Sequence, residues 1–377
     1  MSSRRLPSRL LRVLSLTLAG AIAGCGESHT ATPTPTAPSI LVFSPQNNDL
    51  DVYAPLDGNR KQVVVSGNES GTNPNLLALN GQVCFDPSGS RQFIMGQDAG
   101  QPDPPAGWGI LQLEGTDVGK LSVKRIAQLT PTYQEAPDNY GCGYLHDGRI
   151  LTADIGNNHA GPGNGQLIVW FPPFGLANNR YCKIDITLGT AGGIFVDKSE
   201  RIYVASARAH PGIYRYTGPF PTSDTAAGGC GRLDPLGSPM ADVVRKEKFI
   251  LPDTNTLTPN AVVGSDHDTF YVSSVSTGMI AEYDADGTFV RRILEPPAGE
   301  HLGTTPFSTG SPLGLAVDSY GTLYYADLGL AQGSDGIGPV DGFGSLRRIR
   351  FENGTALPPE TLDSGLNFPD GLGVLEE

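Results

Sequence analysis

Several short apolar segments of this chain begin with a side chain that carries an oxygen ligand. Asn80, Asn139 and Asn260 offer amide oxygens, and Asp370 offers a carboxylate. Calcium takes six to eight such oxygens. If the fold gathers these residues, they form a site for a hard cation. The alternative is that they cap turns by hydrogen bonding to nearby backbone.

Two histidines are the candidates for acid–base chemistry. His159 and His210 lie in segments that contain glycine or proline. Histidine titrates near neutral pH and often serves as a general acid or base, although exposed loops also carry histidines that have no such role. The sequence contains no Gly-x-Ser-x-Gly elbow, no His-Glu-x-x-His helix and no phosphate-binding loop. Motifs therefore leave the reaction unidentified.

The first 25 residues have the pattern of a bacterial export signal. Arginines surround the start of an apolar run over residues 10–23, and Ile22, Ala23 and Gly24 precede Cys25. This ending resembles a lipobox and predicts lipidation of Cys25. The run is shorter than the roughly 20 residues of a membrane-spanning helix. Sec export is favoured over the twin-arginine route, because Pro7 follows the arginine pair where that motif has a large apolar residue.

A tether and an envelope location follow from this signal. Residues 1–24 are the predicted signal peptide, and residues 25–39 are rich in threonine and proline, which is typical of a stiff, solvated linker. Gly26 stands where an aspartate is associated with retention in the inner membrane. We therefore expect a lipid-anchored protein in the bacterial envelope, in the outer membrane and facing the periplasm or the cell surface.

Four cysteines remain after Cys25, an even number in a chain that meets oxidising conditions. We expect two disulfides, Cys84 with Cys142 and Cys182 with Cys230, in preference to the two other connectivities. Buried free thiols are the alternative. Zinc is not expected, because the paired Cys-x-x-Cys spacing does not occur.

Composition limits the fold that can position these residues. Of 377 residues, 49 are glycine and 31 are proline, and only 17% are charged, which does not suit a helical bundle. Hydrophobic residues make up 38%, enough for a core. The formal net charge of −13 argues against nucleic acid as a partner, because phosphate binding needs a basic surface. A turn-rich β protein is predicted.

One unit of strand, tight turn and strand recurs along residues 40–377. Residues 311–318 with 321–327 repeat the pattern of residues 258–263 with 269–273. A second hairpin follows each unit, and four short strands per repeat with Asp-Gly turns are typical of a β-propeller blade. The last strand-like segment, residues 368–375, has no partner after it, and the first blade lacks an innermost strand. We predict six blades, closed by the C-terminal strand in the N-terminal blade; five and seven are the alternatives.

This geometry predicts which residues share a face of the disc. The starts of the innermost strands and the loops after the second strands lie together, and three of those loops are long: residues 99–107, 155–165 and 328–344. Long loops on a rigid scaffold are usual places for binding sites. The oxygen-bearing residues and histidines above lie on this channel-mouth face, together with Asp98, Asp154, Ser274 and Asp327.

The repeats resemble those of NHL-repeat propellers and of the gluconolactonase and strictosidine-synthase-like group. Asn260 in Pro259-Asn260-Ala261 resembles the asparagine of the gluconolactonase metal site, and Asp370 in Pro369-Asp370-Gly371 resembles its aspartate. The resemblance implies a calcium site built from Asn260 and Asp370, which would need further oxygens from Asn139, backbone or water. The family's Glu-Gly-Pro start has no counterpart here, and Leu313 occupies an equivalent strand start.

Two functions are therefore predicted for the channel-mouth face. One is binding of a small molecule, glycan or protein, with the membrane contacted only through the lipid. The other is calcium-dependent hydrolysis of lactones or esters. Binding ranks first, because the residues supply no complete calcium shell.

Overall fold

The computed structural model describes residues 39–46, 49–65, 79–97, 107–131, 139–154, 165–265, 268–334 and 336–377. These residues belong to one compact unit. Cys25, Asp98 and His159 lie outside them, as does nearly all of the predicted signal and tether. No helix among the described residues has the length and apolar character needed to cross a membrane.

The chain forms six four-stranded antiparallel blades, as the sequence predicts. Blade one contains β1 (Ile40–Gln46), β2 (Asp49–Ala54), β3 (Arg60–Val65) and β30 (Gly373–Glu376). Blade two contains β4 (Leu79–Phe85), β5 (Gln92–Gln97), β6 (Gly107–Glu114) and β7 (Ser122–Leu129). Blade three contains β8 (Asn139–Tyr144), β9 (Ile150–Asp154), β10 (Gly165–Phe171) and β11 (Arg180–Leu188).

Blades four to six continue the pattern. Blade four contains β12 (Thr190–Val196), β13 (Ile202–Ala207), β14 (Gly212–Thr217) and β17 (Arg245–Ile250). Blade five contains β18 (Pro259–Gly264), β19 (Phe270–Ser274), β20 (Met279–Tyr283) and β21 (Phe289–Leu294). Blade six contains β22 (Pro312–Val317), β23 (Leu323–Asp327), β26 (Gly344–Ile349) and β29 (Glu360–Leu366).

Short strands are added to two of the blades. β15 (Arg232–Leu233) and β16 (Pro239–Met240) lie in the connection after β14 and extend the sheet of blade three through β11. β24 (Leu330–Gly333) with β25 (Gly336–Pro339), and β27 (Phe351–Glu352) with β28 (Thr355–Ala356), form two hairpins in blade six. Single 3₁₀ turns span Ala226–Gly228 and Val275–Thr277.

The ring closes through the C-terminal strand, which confirms the predicted closure. β30 pairs antiparallel with β1, with Leu41 opposite Leu375 and Phe43 opposite Gly373. On its other side, the Val83 N–H donates to the Leu372 carbonyl at 3.1 Å. The innermost strands β4, β8, β12, β18, β22 and β30 contact one another in that order around the axis, and β30 returns to β4.

The core lies between neighbouring blades. Alternate residues of each strand face one neighbour or the other, so one buried cluster joins Phe43 of blade one to Phe93 of blade two, and another joins Tyr271 of blade five to Tyr325 of blade six. A blade buries both faces only when it is flanked on both sides, and closure is therefore part of the hydrophobic core.

Both expected disulfides are present. Cys84–Cys142 joins the innermost strands of blades two and three, and Cys182–Cys230 ties the connection that contains β15 and β16 to the outermost strand of blade three. One sequence expectation needs correction: residues 328–344 are not one long loop, because they contain the β24–β25 hairpin. Gly336 has a φ of 116°, a conformation that glycine adopts readily and that turns the chain there.

Candidate ligand-binding site at the propeller axis

A cavity of about 550 Å³ opens on the axis at the end of the ring where the innermost strands begin. We call it the axial cavity. Every blade contributes to its lining through the start of an innermost strand or the segment just before it. These contributors are Asn80, Asn139, Gly192, Asn260, Leu313 and Asp370. The sequence places one such position in each repeat, and ring closure brings the six together.

Blades two, three and five contribute amide groups to the axial cavity, through Asn80, Asn139 and Asn260. Among the described residues, the buried Oδ1 atoms of Asn80 and Asn260 have no hydrogen-bond partner. Gly96 on β5 leaves the space that the Asn80 side chain occupies: a Cβ there would lie 2.3 Å from Asn80 Oδ1 and 2.9 Å from Asn139 Cβ. An unsatisfied buried acceptor costs about 1–3 kcal/mol. A ligand that offers donors or positive charge would remove this cost.

Asp370 is the carboxylate of the cavity, and it also secures the ring closure. Its side chain is almost fully buried, and its Oδ1 accepts a hydrogen bond from the Gly81 N–H at 2.9 Å. Its backbone carbonyl accepts from the Tyr140 hydroxyl at 2.9 Å. Burial, and then the charge of Asp370, raises the pKa of Tyr140 well above its usual value. Tyr140 therefore stays protonated and keeps this bond at neutral pH.

At the inner end of the cavity, further along the axis, Gln82 on β4 narrows the ring. The Gln82 amide donates to the Ile194 carbonyl at 2.8 Å, and its oxygen accepts from the Ile194 N–H at 2.8 Å and the Cys142 N–H at 3.3 Å. One side chain thus bonds to the innermost strands of the next two blades. The next space along the axis, which Gln82 and Tyr140 line, has a volume of only about 10 Å³, about the minimum for one water molecule.

The wall of the cavity at blade six is apolar. Leu313, Leu328 and Leu330 pack together with Tyr140, and the β24–β25 hairpin adds Ile337, which is 55% exposed. Phe368 completes this wall, 43% exposed and with a φ of 55°. A bulky residue in the left-handed region is strained by roughly 1–2 kcal/mol. The cavity therefore combines amide groups from several blades with an apolar wall at blade six.

The structure brings together the three residues that the sequence indicated as metal ligands, since Asn139, Asn260 and Asp370 all line the axial cavity. Among the described residues, no group of three or more His, Cys, Asp or Glu side chains is placed to hold a metal. A cation here would rely on amide oxygens and the one carboxylate of Asp370.

Other residues that the sequence assigned to this face do not line the cavity. His210 is exposed and is not part of the lining, and its backbone carbonyl accepts from Ser206 Oγ at 2.7 Å. Asp327 is fully buried, and its Oδ1 accepts from the backbone N–H of Ser311 at 2.7 Å and of Gly329 at 3.0 Å. Ser274 Oγ likewise accepts from the Thr258 N–H at 3.2 Å. Asp327 and Ser274 therefore cap local backbone, the alternative that the sequence left open.

Sequence reasoning missed the residues that shape the cavity, above all Gln82, Tyr140 and the hairpin residues Leu330 and Ile337. A signal for Gln82 exists: a polar side chain stands inside the apolar pattern of an innermost strand. Such a position needs a hydrogen-bonding partner in the fold. The apolar hairpin residues carry no comparable signal, because their role depends on how residues 328–344 fold.

Comparison with known proteins bears on the fold. No protein-family model matches the chain, and no curated protein matches it. A luciferin-regenerating enzyme is similar in structure, with a TM-score of 0.52, 12% identity and coverage of 89% of this chain and 94% of its own. A protein of unknown function from Bacteroides caccae has a TM-score of 0.50, 12% identity and coverage of 90% and 100%.

These two likenesses establish a shared fold. A gluconolactonase from Xanthomonas campestris is also similar, with a TM-score of 0.47, 12% identity and coverage of 77% of this chain and 83% of its own. The chain is a six-bladed β-propeller. Its function must be argued from the cavity, because one fold carries many activities.

Proposed function

We propose that this protein is an envelope-anchored β-propeller that binds a small amphipathic molecule in the axial cavity. The observation that carries the proposal is the division of the cavity between unpartnered amide oxygens and an apolar wall. Its volume of about 550 Å³ lies within the range of roughly 300–1,000 Å³ that is usual for small-molecule sites.

The amide groups and the apolar wall of the cavity define the chemistry of the ligand. Asn80 and Asn260 accept hydrogen bonds from its polar end, which satisfies their buried oxygens. Leu313, Leu328 and Leu330 contact its apolar body and remove apolar surface from water, worth about 25 cal/mol per Å². Binding needs only this complementarity and no catalytic group.

A fluorescent amphipathic probe tests the binding site. The emission of N-phenyl-1-naphthylamine, a neutral probe whose N–H can donate to an amide oxygen, rises when its rings enter an apolar cavity, so the purified protein should increase the emission. Leu330→Asp places a charge on the apolar wall and should abolish the increase. Leu236→Asp is the matched control, since Leu236 is exposed and lies outside the cavity. Equal emission from both variants would contradict the proposal.

The second candidate function is calcium-dependent hydrolysis of lactones or esters in the same cavity. Asn139, Asn260 and Asp370 share this cavity, which favours it. These three residues would hold the ion, and bound calcium would polarise the substrate carbonyl. The fit is partial, because Asp370 is the only carboxylate among the described residues that line the cavity, and one of its oxygens already bonds to the Gly81 N–H. Binding alone therefore remains the first candidate.

Calcium titration separates the two functions. A bound ion stabilises the native state by mass action, so calcium should raise the melting temperature if the site is real. Asp370→Asn removes the charge but retains an oxygen for the Gly81 N–H, and it should abolish the rise without unfolding the ring. If calcium leaves the wild-type melting temperature unchanged and elemental analysis finds no metal, the hydrolase function fails.

The envelope location rests on the lipobox-like sequence before Cys25. Cys25→Ala should shift the protein from the membrane fraction to the soluble fraction. Unchanged fractionation would show that the protein is held at the membrane by something other than a lipid on this cysteine.

A further inference from the structure

A second large cavity lies on the opposite face of the propeller, between blades five and six. Its volume is about 560 Å³. Strand β22 connects the two sites: Leu313 near its start lines the axial cavity, and Val317 at its end lines this one. We call it the turn-face groove, defined by Tyr271, Glu282, Arg291, Asp318, Tyr320 and Phe351.

An exposed aromatic ring lies in this groove, on a turn that is held by hydrogen bonds. Tyr320 is 56% exposed, and its N–H donates to Asp318 Oδ1 at 3.0 Å. The same oxygen accepts from the Thr322 N–H at 2.8 Å, and Asp318 Oδ2 accepts from the Tyr324 hydroxyl at 3.0 Å. Asp318 therefore fixes the turn, and with it the backbone position of Tyr320, before any ligand arrives.

The other blades provide an internal comparison. The same aspartate-capped turn occurs in blades two, four and five, where Asp86, Asp197 and Asp284 accept from a backbone N–H two residues later. The residues at that position are Ser88, Ser199 and Asp286. Blade six alone among these four has an aromatic residue there. The turn does not require a tyrosine, so Tyr320 is explained better by the groove than by the fold.

A second local feature builds the wall of the same groove. In blade five the third and fourth strands are joined by a turn at residues 284–288, whereas the corresponding connection in blade six carries the β27–β28 hairpin. Asn353 and Gly354 form its turn with φ values of 49° and 74°. Phe351 reaches across to blade five and stacks on Tyr271, with ring centroids 5.8 Å apart and an interplanar angle of 21°.

Two charged side chains beside these rings form an ion pair. Arg291 Nε donates to Glu282 Oε2 at 2.5 Å, and Glu282 is buried while Arg291 is 41% exposed. Equivalent Arg–Glu pairs occur in blades four and six, so the pair itself belongs to the fold. In this groove it places a guanidinium donor and a carboxylate acceptor next to aromatic rings.

We propose that the turn-face groove binds a pyranose sugar. One side of a pyranose presents C–H groups that pack on an aromatic face, and its hydroxyls both donate and accept hydrogen bonds. Tyr320 supplies the exposed ring, and Arg291 and Glu282 supply a donor and an acceptor. Fixed groups of both kinds lower the entropic cost of binding a polar ligand. This proposal is independent of the ligand of the axial cavity.

Calorimetric titration of the purified protein with cellobiose, maltose, lactose and N,N′-diacetylchitobiose tests the site. At least one sugar should bind with a millimolar or tighter constant. Tyr320→Ser gives blade six the residue found in blades two and four, and should weaken that binding about tenfold, or 1.4 kcal/mol. Ser199→Ala, at the equivalent position of blade four, should leave it unchanged.

Two further controls keep the result specific. Melting temperatures of both variants should match wild type, because Tyr320 is exposed and Asp318 holds the turn through backbone. Leu330→Asp, which alters only the axial cavity, should bind the sugar normally. No binding of the four sugars to wild type, or equal binding by Tyr320→Ser, would overturn the proposal. Loss of sugar binding in Leu330→Asp would also overturn it, because the loss would indicate that the sugar binds in the axial cavity.

Discussion

Gly371→Ala should destabilise the ring at its closure. Gly371 lies against β4, and a Cβ there would be 1.6 Å from the Gly81 carbonyl oxygen and 2.7 Å from Gln82 N. Ordinary contact begins near 3.4 Å, so the two backbones must separate by about 1.8 Å. The φ of Gly371 is not in the left-handed region, and the cost is therefore steric.

The size of this effect follows from what the separation breaks. Overpacking costs about 1–3 kcal/mol. The separation also removes two hydrogen bonds, from Gly81 N–H to Asp370 Oδ1 and from Val83 N–H to the Leu372 carbonyl, each worth about 0.5–1.5 kcal/mol. The free energy of unfolding should fall by about 2–6 kcal/mol, a large part of the 5–15 kcal/mol that is usual for a domain.

Urea unfolding followed by tryptophan fluorescence measures the loss, because Trp108 and Trp170 are fully buried. Gly303→Ala is the control, since the nearest atom to its added Cβ is 4.0 Å away and its φ is ordinary. If Gly371→Ala unfolds at the same urea concentration as Gly303→Ala, residues 370–372 do not pack against β4 and the closure described above is wrong.

Three further perturbations test the fold. Deleting residues 368–377 removes β30 and should abolish the cooperative thermal transition, so a truncated protein that melts like wild type would refute closure by this strand. Lys183→Met leaves the buried Asp234 without the cation 2.5 Å away and should lower the free energy of unfolding, measured in urea, by about 3–5 kcal/mol. The double variant with Asp234→Asn should recover part of this loss, and no recovery would argue against the ion pair. Burial alone would raise the pKa of Asp185, but hydrogen bonds from Lys246 and Tyr216 lower it below the usual value. The stability that ionised Asp185 contributes is therefore present above about pH 4 and is lost as the pH falls further. The melting temperature of Asp185→Asn should depend less on pH in that range than that of wild type, and parallel curves for the two proteins would contradict this.

The sequence predicts the blades and their closure because both depend on local, repeated patterns. Alternating apolar residues and tight turns that often contain Asp or Gly mark the hairpins, and the unpartnered segment at residues 368–375 identifies the closing strand. The disulfides follow from the same placement, because Cys84 and Cys142 lie on adjacent innermost strands. Asn139, Asn260 and Asp370 meet at the axis because each stands at the start of its repeat.

Features that depend on contacts between blades are not visible in the sequence. Gln82 closes the axis only because Ile194, two blades away, offers both a carbonyl and an N–H to its amide. Asp327 has the residue type and a sequence position similar to those of a predicted metal ligand. The backbone N–H groups of Ser311 and Gly329, however, both donate to its Oδ1. Residue type and spacing do not distinguish these outcomes, because both follow from the way distant segments meet.

The closure of the axis by Gln82 limits how a ligand in the axial cavity can exchange. Since the described residues leave only about 10 Å³ beyond Gln82 and Tyr140, entry and departure use the same opening. A second molecule cannot displace the first from behind, and no flow through the ring is available. Occupancy is then governed by the dissociation rate of the molecule already inside, so competitors act only after it has left. Residence time would therefore set how quickly the protein responds to a fall in ligand concentration, whereas its response to a rise also depends on the arrival rate.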